Sequence, residues 1–430
     1  MEVKKGELLM KKSRFLGIII FCIFFLTACL QVGVSGDTFR VGMVVAEDVN
    51  DGDGQFYNAI RGVELAAKAK KTILGKNIEI EVFKTSLLGE GETYKSAINN
   101  GVQYFINAHD SLYLWKGRND IGALLEGDKG LLMRTNNSNT DYGFYTYEKI
   151  TNVFNMMPSP TRYCESFVQQ IVAYGKEYLN KNPKDLRIGF LGNLSGVGMY
   201  DSYYAKGIKE ELSANGLSLI LNEYYGRQDS IFSSLADMIR EANLDFLLCD
   251  TIISHKSSTA YDKFVSTASE IPFKFYIRSP YEVYSGHLDI KEHVDYFYYS
   301  FINSRVRLDL VPGLNELIEN YRAEYGEDPT YMAIHNYSIA MFLFDIIEEV
   351  GTFDVEQVRK AIESADIEKG ILPGYWGVKF DENNNNVRAG EVFIVEQTQN
   401  FYEFITDLHK VVVGPDEFKT NEIRLPTNRQ

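Results

Sequence analysis

Short apolar runs alternate with stretches of helical periodicity along the chain from Phe39 onward. A brief apolar run bounded by turn residues predicts a buried strand, and apolar residues three or four positions apart predict an amphipathic helix. Regular alternation of the two predicts parallel strands joined by helical crossovers, so we expect an α/β fold. In the first half, the pattern predicts strands at 39–45, 78–83, 102–106 and 130–134, with helices near 60–66, 93–99 and 121–125.

A second series of the same kind follows a proline-rich break. The strand-like segment 153–157 runs into Pro158 and Pro160, which interrupt both helix and sheet and mark a boundary. Beyond it the pattern predicts strands at 186–191, 217–225, 246–250, 273–277 and 294–301, and helices at 161–179, 199–214, 230–242, 314–325 and 332–350. Short strands around Val378 and Val392 are predicted to close the chain.

Residues 1–28 have the layout of an export signal. Five basic side chains stand in the first part, and the apolar run 15–28 is too short to span a membrane comfortably. The tetrapeptide Leu26-Thr27-Ala28-Cys29 resembles the bacterial lipobox, in which the cysteine becomes the new N-terminus and carries acyl chains. This resemblance predicts a lipoprotein attached through Cys29 to the outer face of the cell membrane, or held in the periplasm. A plain signal peptide, or an uncleaved segment with Cys29 as an ordinary apolar residue, is the alternative.

Composition places the rest of the chain among acidic globular proteins. The 430 residues are 45% hydrophobic, enough for two domains with real cores. The full chain has a net charge of −15, and removing the five basic and two acidic residues of 1–28 leaves 39 basic against 57 acidic side chains, a net charge of −18. Such a surface repels phosphate backbones, so we expect no nucleic-acid partner.

Several chemistries lack their motifs. The six histidines show no zinc-type spacing, and Gly192 to Gly196 reads Gly-Asn-Leu-Ser-Gly, which is not a nucleophile elbow. No lysine follows Gly196 and Gly198 as in a phosphate loop, and Asp201 stands where a dinucleotide fingerprint needs its third glycine. We therefore expect no enzyme, metal or cofactor.

Cysteines are too few for a disulfide-built scaffold. Beyond Cys22 and Cys29 only Cys164 and Cys249 remain, and each fits a buried small hydrophobe. Their spacing leaves one disulfide between them open, because sequence separation does not report the Cα distance.

The order and spacing of several segments resemble the type I periplasmic binding proteins of the Leu/Ile/Val-binding kind, which take up branched-chain and other amino acids, amides or urea. The resemblance runs from the first strand, glycine loop and helix at 39–69 to the aromatic and proline at 154–158, and then to the strand, glycine and helix at 188–212. Its most specific part is C-terminal: Tyr325-Gly326 with Pro329, the segment 337–361, and Gly377-Val378-Lys379-Phe380-Asp381.

This resemblance implies two doubly wound parallel-sheet lobes joined by a three-crossover hinge, with ligand trapped between them by hinge closure. The implied division is a signal peptide at 1–28 and a tether at 29–38. The first lobe takes 39–155 plus about 282–370, the second takes 156–281 plus about 371–415, and 416–430 form a tail.

In the first lobe, polar residues follow two predicted strands. Asp110 and Ser111 follow 102–106, while Asn136, Asn137 and Ser138 follow 130–134. The resemblance implies that these turns hold the carboxylate and ammonium of an amino acid, for which hydroxyl, amide and carboxylate groups are suited. The same side chains also commonly cap helices and shape turns.

Asp53 and Gln55 belong to the loop after the first strand, which borders the ligand cleft in the resembled family. A calcium loop is rejected there. With Gly54 at the turn-glycine position, the first and twelfth ligand positions fall on Val49 and Ile60, which supply no side-chain oxygen.

In the second lobe, the candidates are Tyr200, which stands near the position of the family's aromatic lid residue, and four residues beyond two strands. Asp250 and Thr251 end one predicted strand, and Arg278 and Tyr281 follow the next. The family's usual acidic residue past the first of these strands is missing here, so Asp250 is the candidate for the ammonium and Arg278 for a second acidic group. An ion pair between Asp250 and Arg278 across neighbouring strand ends explains both residues equally well.

The function implied is a lipid-anchored extracytoplasmic solute-binding protein that delivers an amino acid or amide-like ligand to an ABC transporter permease. The alternative is a ligand-sensing lipoprotein of the same fold that signals to a membrane receptor.

Overall fold

The computed structural model describes fifteen segments of the chain, and every structural statement below concerns these residues. They are 38–46, 55–86, 89–107, 122–134, 151–157, 160–193, 200–225, 230–249, 259–276, 296–300, 306, 308–369, 376–390, 393–398 and 410–425. The N-terminal export signal and Cys29 lie outside them. No helix within these segments is both long enough and apolar enough to cross a membrane.

Fifteen strands and nine α-helices are assigned within these segments. The strands are β1 (Thr38–Ala46), β2 (Thr72–Ile73), β3 (Lys76–Thr85), β4 (Tyr104–Asn107), β5 (Leu131–Arg134), β6 (Val153–Asn155), β7 (Ile188–Asn193), β8 (Leu219–Tyr225), β9 (Phe246–Cys249), β10 (Phe273–Tyr276), β11 (Tyr296–Ser300), β12 (Asp366–Ile367), β13 (Val378–Lys379), β14 (Ile394–Thr398) and β15 (Lys410–Gly414). The helices are α1 (Gln55–Lys70), α2 (Glu90–Asn99), α3 (Pro160–Leu179), α4 (Tyr200–Ala214), α5 (Ser230–Ala242), α6 (Thr259–Ser269), α7 (Leu314–Tyr325), α8 (Tyr331–Val350) and α9 (Val355–Glu363).

The strands form two large sheets. The first has the order β2-β3-β1-β4-β5-β6 and is parallel except for the β2–β3 hairpin. The second has the order β15-β14-β11-β10-β9-β7-β8, in which the five strands β7 to β11 are parallel and β14 and β15 are antiparallel. The predicted α/β class with two doubly wound sheets is therefore confirmed. Strand β11 pairs with β10 in the second sheet, although the predicted first-lobe segment from about 282 includes it.

Helices α7 and α8 pack against α1, so a late part of the chain covers the first sheet. On α7, the Tyr321 hydroxyl donates to Asn58 Oδ1 at 3.0 Å. On α8, a Cβ added to Gly62 of α1 would lie 2.2 Å from the Ala333 carbonyl oxygen, so this close crossing requires glycine. Helix α8 begins after Thr330, whose hydroxyl accepts from the Ala333 N–H.

Two apolar clusters sandwich the first sheet. Met43, Ile106, Met133 and Phe154 belong to a large cluster that includes residues of α8 and α9. Val44, Phe105, Leu132 and Val153 belong to a second cluster with Tyr94 and Ala97 of α2. This alternation of faces along each strand is the period of two that an extended backbone imposes.

The C-terminal region differs most from the prediction. Val378 lies in the two-residue strand β13. Val392 is outside the described residues, but β14 begins two residues after it, and only β15 was not predicted. Residues predicted as a tail also pack on the fold, because Phe418 is buried and the Gln397 side chain bonds both the N–H and the carbonyl of Arg424.

The two remaining cysteines are both buried, in different places. Cys164 lies on α3 in the large cluster, which includes residues of both sheets, and Cys249 lies in a separate cluster that includes α5 residues. They do not form a disulfide with each other.

Candidate functional site

The carboxyl ends of the parallel strands form a common edge on the first sheet. Asn107, Arg134 and Asn155 are the last residues of β4, β5 and β6, and they are consecutive Cα partners across the sheet. Open α/β sheets bind ligands just outside this edge, because loops from neighbouring strands converge there. The loops that carry the predicted first-lobe ligand residues leave the sheet at this edge.

These three strand ends form a row of buried polar side chains, which we call the polar row. Asn107, Arg134 and Asn155 are 1%, 2% and 1% exposed. The residues two positions earlier in the three strands belong to the cluster with α2, so the polar row faces the α2 side of the sheet. Buried amides and a buried guanidinium are costly unless they are satisfied, and each of the three makes polar interactions within the fold.

Helix α2 contributes two more polar groups beside the polar row. The Asn107 side-chain amide donates to the Tyr94 hydroxyl at 3.2 Å. Burial and the nearby Glu90 carboxylate raise the pKa of Tyr94, while the hydrogen bond from Asn107 and the positive charge of Arg134 oppose that rise. Tyr94 therefore stays a neutral phenol that lies within electrostatic reach of both charges.

On the parallel strands of the second sheet, the described buried charges lie at the opposite edge, and Glu396 of the antiparallel strand β14 is buried separately. Near the carboxyl ends, Leu191 and Cys249 are apolar and buried partners of β7 and β9. At the amino end of β9, Lys181 Nζ lies 2.7 Å from both oxygens of the buried Asp245 carboxylate, which also accepts the Arg187 N–H at 2.9 Å. This ion pair fixes the start of the sheet, far from the edge where ligand is expected.

Two predicted ligand residues fall within the described backbone. Gln55 is the first residue of α1, and Tyr200 is the first residue of α4. Gln55, predicted in the loop after the first strand, begins a helix instead, whereas Tyr200 begins a helix that was predicted from 199. The remaining predicted ligand residues lie outside the described residues and stay a prediction: Asp53, Asp110, Ser111, Asn136, Asn137, Ser138, Asp250, Thr251, Arg278 and Tyr281.

Sequence reasoning missed the polar row, although its signal was present. Each member is a polar residue that closes an apolar strand, as Arg134 does after Leu131–Met133. The sequence indicated the strands but directed attention to the loops after them. Only the order of the strands in the sheet shows that these three strand ends are neighbouring Cα partners.

The described residues offer little for metal chemistry. They contain no group of three or more histidine, cysteine, aspartate or glutamate side chains placed to hold a metal ion. Burial lowers the pKa of His335 to about 4, so this imidazole is neutral at pH 7; its ring lies 5.5 Å from that of Trp376.

Comparison with known proteins shows the family and the fold. Residues 38–400 match the model of a family described as periplasmic binding proteins. The Leu/Ile/Val-binding protein homolog 7 of Brucella suis is 28% identical over 287 residues, which are 64% of this chain and 67% of that protein.

Solved structures share the fold. An ABC transporter substrate-binding protein from Desulfitobacterium hafniense in complex with Leu has a TM-score of 0.61 at 14% identity, covering 84% of this chain and 98% of that chain. A solute-binding protein of an ABC transporter from R. palustris in complex with benzoate has a TM-score of 0.59 at 13% identity, covering 88% of this chain and 96% of that one.

Proposed function

Because this chain belongs to the periplasmic binding protein family, we propose that it binds a small carboxylate, such as an amino acid, between its two sheets and delivers it to an ABC importer. Proteins of this family and fold are substrate-binding proteins of transporters, not enzymes. The names of the structural neighbours refer to ABC transporters, which favours import over signalling as the use of the bound ligand.

The observation that carries the proposal is the buried guanidinium in the polar row. Arg134 is 2% exposed and directly precedes the loop of Asn136, Asn137 and Ser138. A cation held in a medium of low dielectric constant attracts an anion far more strongly than it would in water. The leucine and benzoate of the structural neighbours both carry a carboxylate, which is the group that such a charge favours.

The loops beyond the polar row supply the direct contacts in this proposal. Hydroxyls, amides and backbone N–H groups after β4 and β5 hold the carboxylate, as Ser111 and Asn137 are suited to do. Asp110 is suited to an ammonium group. Hinge motion then closes the second lobe over the ligand. The residues that it brings to the ligand in this proposal are Asp250, Thr251, Arg278, Tyr281 and Tyr200.

Calorimetric titration of the purified protein tests the ligand class. The compounds are L-leucine, L-isoleucine, L-valine and benzoate, with leucinamide and benzamide as matched controls that lack the carboxylate. We expect binding of at least one acid and at least tenfold weaker binding of its amide. Amides that bind as tightly as the acids would contradict the carboxylate assignment, and no binding by any of them would contradict the proposed ligand class.

Arg134→Met tests the residue that carries the argument. Removing the charge should weaken binding of the acid about tenfold and leave the small affinity for its amide unchanged, because the amide carries no anion. Equal loss for both compounds would indicate a distorted site instead.

Lipid attachment is proposed through Cys29. The Cys29→Ala variant should pass from the membrane fraction to the medium or the soluble periplasmic fraction. Retention of the variant in the membrane fraction would contradict the lipid anchor, but it would not bear on the proposal for ligand binding.

A further inference from the structure

We propose that Asn155 and the turn Asp381–Asn386 form a clasp that joins two of the connections between the lobes and positions the ends of β5 and β6 at the ligand edge. Asn155 is then a positioning residue for binding, acting through the strand ends and without touching the ligand. The inference rests on the proposed function for its role, whereas the clasp itself rests on contacts within the described residues.

Hydrogen bonds from both backbone and side chain hold Asn155 on the turn. Its N–H donates to the Asn384 carbonyl at 2.9 Å, and its own carbonyl accepts the Asn386 N–H at 2.9 Å. Its side-chain amide donates to Asn385 Oδ1 at 2.7 Å. The Asn384 amide also donates to the Thr151 carbonyl at 3.1 Å. The turn thus adds to the free edge of β6 as a further strand would.

The turn is rigid before it meets Asn155. Asp381 Oδ1 accepts the N–H groups of Asn383 and Asn385 at 2.9 and 2.8 Å, and the Asn385 amide donates to Asp381 Oδ2 at 3.2 Å. Asn384 has a φ of 60°, a left-handed conformation that asparagine tolerates better than most residues. Asn385 is therefore held by Asp381 on one side and presents its oxygen to Asn155 on the other.

The clasp continues the polar row. Asn155 is the Cα partner of Arg134, and the Met156 N–H donates to the Arg134 carbonyl at 2.9 Å. On its other side Asn155 bridges to Asn385. The exposed fractions of Asn155, Asn384 and Asn385 are 1%, 0% and 7%. Because these polar groups are buried, separating them would leave donors and acceptors without water, so the arrangement resists opening.

Its place in the topology gives the clasp its role. The chain leaves the first sheet at Asn155 and continues through Met156 into α3, which lies beside the second sheet. The turn lies between β13 and β14, where the chain returns to the second sheet for the last time. The clasp makes these two connections move as one body, so bending on closure occurs on the second-sheet side of Asn155. The ends of β5 and β6 then keep their positions while the lobes close.

A double-mutant cycle tests this clasp. The variants are Asn155→Ala, Asn385→Ala and the double variant. The control, Asn182→Ala, removes an exposed asparagine that bonds Asp185. The acid that the wild-type protein binds among L-leucine and benzoate is titrated calorimetrically. We expect each single variant to bind about tenfold more weakly with an unchanged stoichiometry, and the double variant to bind no more weakly than either, because both changes break one unit.

A purely structural role would reduce the stoichiometry through loss of folded protein and leave the dissociation constant unchanged. Additive losses, or wild-type affinity in both single variants, would overturn the proposal. If either alanine variant fails to fold, Asn155→Asp retains the backbone bonds and size but turns an oxygen toward Asn385 Oδ1, and the same weakening is expected.

A second measurement needs no ligand. Spin labels on Glu79→Cys of β3 and Lys209→Cys of α4 report the distance between the lobes. We expect a broader distance distribution in Asn155→Ala than in the wild type or in Asn182→Ala, and identical distributions would overturn the clasp. A wild-type protein that binds neither probe would count against the proposed function alone, because the distance measurement still decides the clasp.

Discussion

The parallel strands of the two sheets bury their charged side chains at opposite ends. In the first sheet the polar row of Asn107, Arg134 and Asn155 occupies the carboxyl ends of the strands. On the parallel strands of the second sheet, the described buried charges lie at the amino ends, where Asp245 and Lys274 are each 1% exposed. The antiparallel strand β14 adds the buried Glu396, a Cα partner of Tyr298 on β11. Both arrangements carry a cost of burial, but only the first lies where an α/β sheet binds its ligand.

This difference separates stability from function. At the amino edge, Asp245 is satisfied by Lys181 and the Arg187 N–H, and the Lys274 ammonium donates to the Ile271 carbonyl at 2.9 Å. These bonds close on neighbouring elements of the same sheet and need nothing from outside. The strands of the polar row instead continue into the loops that carry the predicted ligand residues, and Asn155 bonds the turn Asp381–Asn386. We therefore expect changes at the amino edge to lower stability alone, and changes at the carboxyl edge to lower affinity as well.

The largest effect is expected at the amino edge, from Asp245→Ala. The change removes the acceptor of a buried N–H and of the Lys181 ammonium, so the free energy of unfolding should fall by about 3 kcal/mol. Urea denaturation measures it. Ligand affinity of the folded variant should equal that of the wild type, and a weaker affinity would break the distinction between the two edges.

An intermediate effect is expected from His335, which belongs to neither edge. Its pKa in the folded protein is about 4, below the ordinary value of 6.5, because burial disfavours the charged ring. The unfolded chain thus binds a proton that the folded chain does not, and stability is retained above pH 6.5 and lost as the pH falls toward 4. The loss should reach about 2 kcal/mol at pH 5.

Urea denaturation at pH 7, 6 and 5 measures this loss, and His335→Gln is the control. The variant lacks the imidazole, so the difference in stability between wild type and variant should shrink as the pH falls. A constant difference over this range would contradict the assignment of a neutral, buried imidazole. Ligand affinity at pH 6 should follow no such trend if only the carboxyl edge governs binding.

The sequence predicted the framework well and the polar row not at all. Helices α5 and α7 have the predicted bounds, because their apolar spacing is regular and glycine or polar residues bound them. Strand β14 was predicted around Val392, two residues before its start, but β15 was missed, because it is an antiparallel addition at the edge of a parallel sheet, without the strand and helix alternation on which the pattern relied.

The candidate site also contains residues that the sequence can predict and residues that it cannot. Loop residues such as Ser111 and Asn137 can be proposed from sequence, since they follow recognisable strands. Arg134 and Asn155 cannot, because a polar residue closing an apolar run is equally suited to a solvated strand end. Only the pairing of β5 with β6, and of Asn155 with Asn385, shows that these side chains are buried together.

The smallest effect is expected from two tyrosine hydroxyls that lie near opposite ends of β4. The Tyr94 hydroxyl accepts from Asn107 at the carboxyl end of β4, and the Tyr104 hydroxyl donates to the Phe353 carbonyl at 3.0 Å at its amino end. Both rings are buried, so Tyr94→Phe and Tyr104→Phe should each lower the free energy of unfolding by about 1 kcal/mol. Only Tyr94→Phe should also weaken ligand binding, by a few fold, because it frees the Asn107 amide beside the polar row. Titration of both variants with the same acid measures this difference. Equal affinities would mean that the row governs the stability of the first sheet and not its ligand edge.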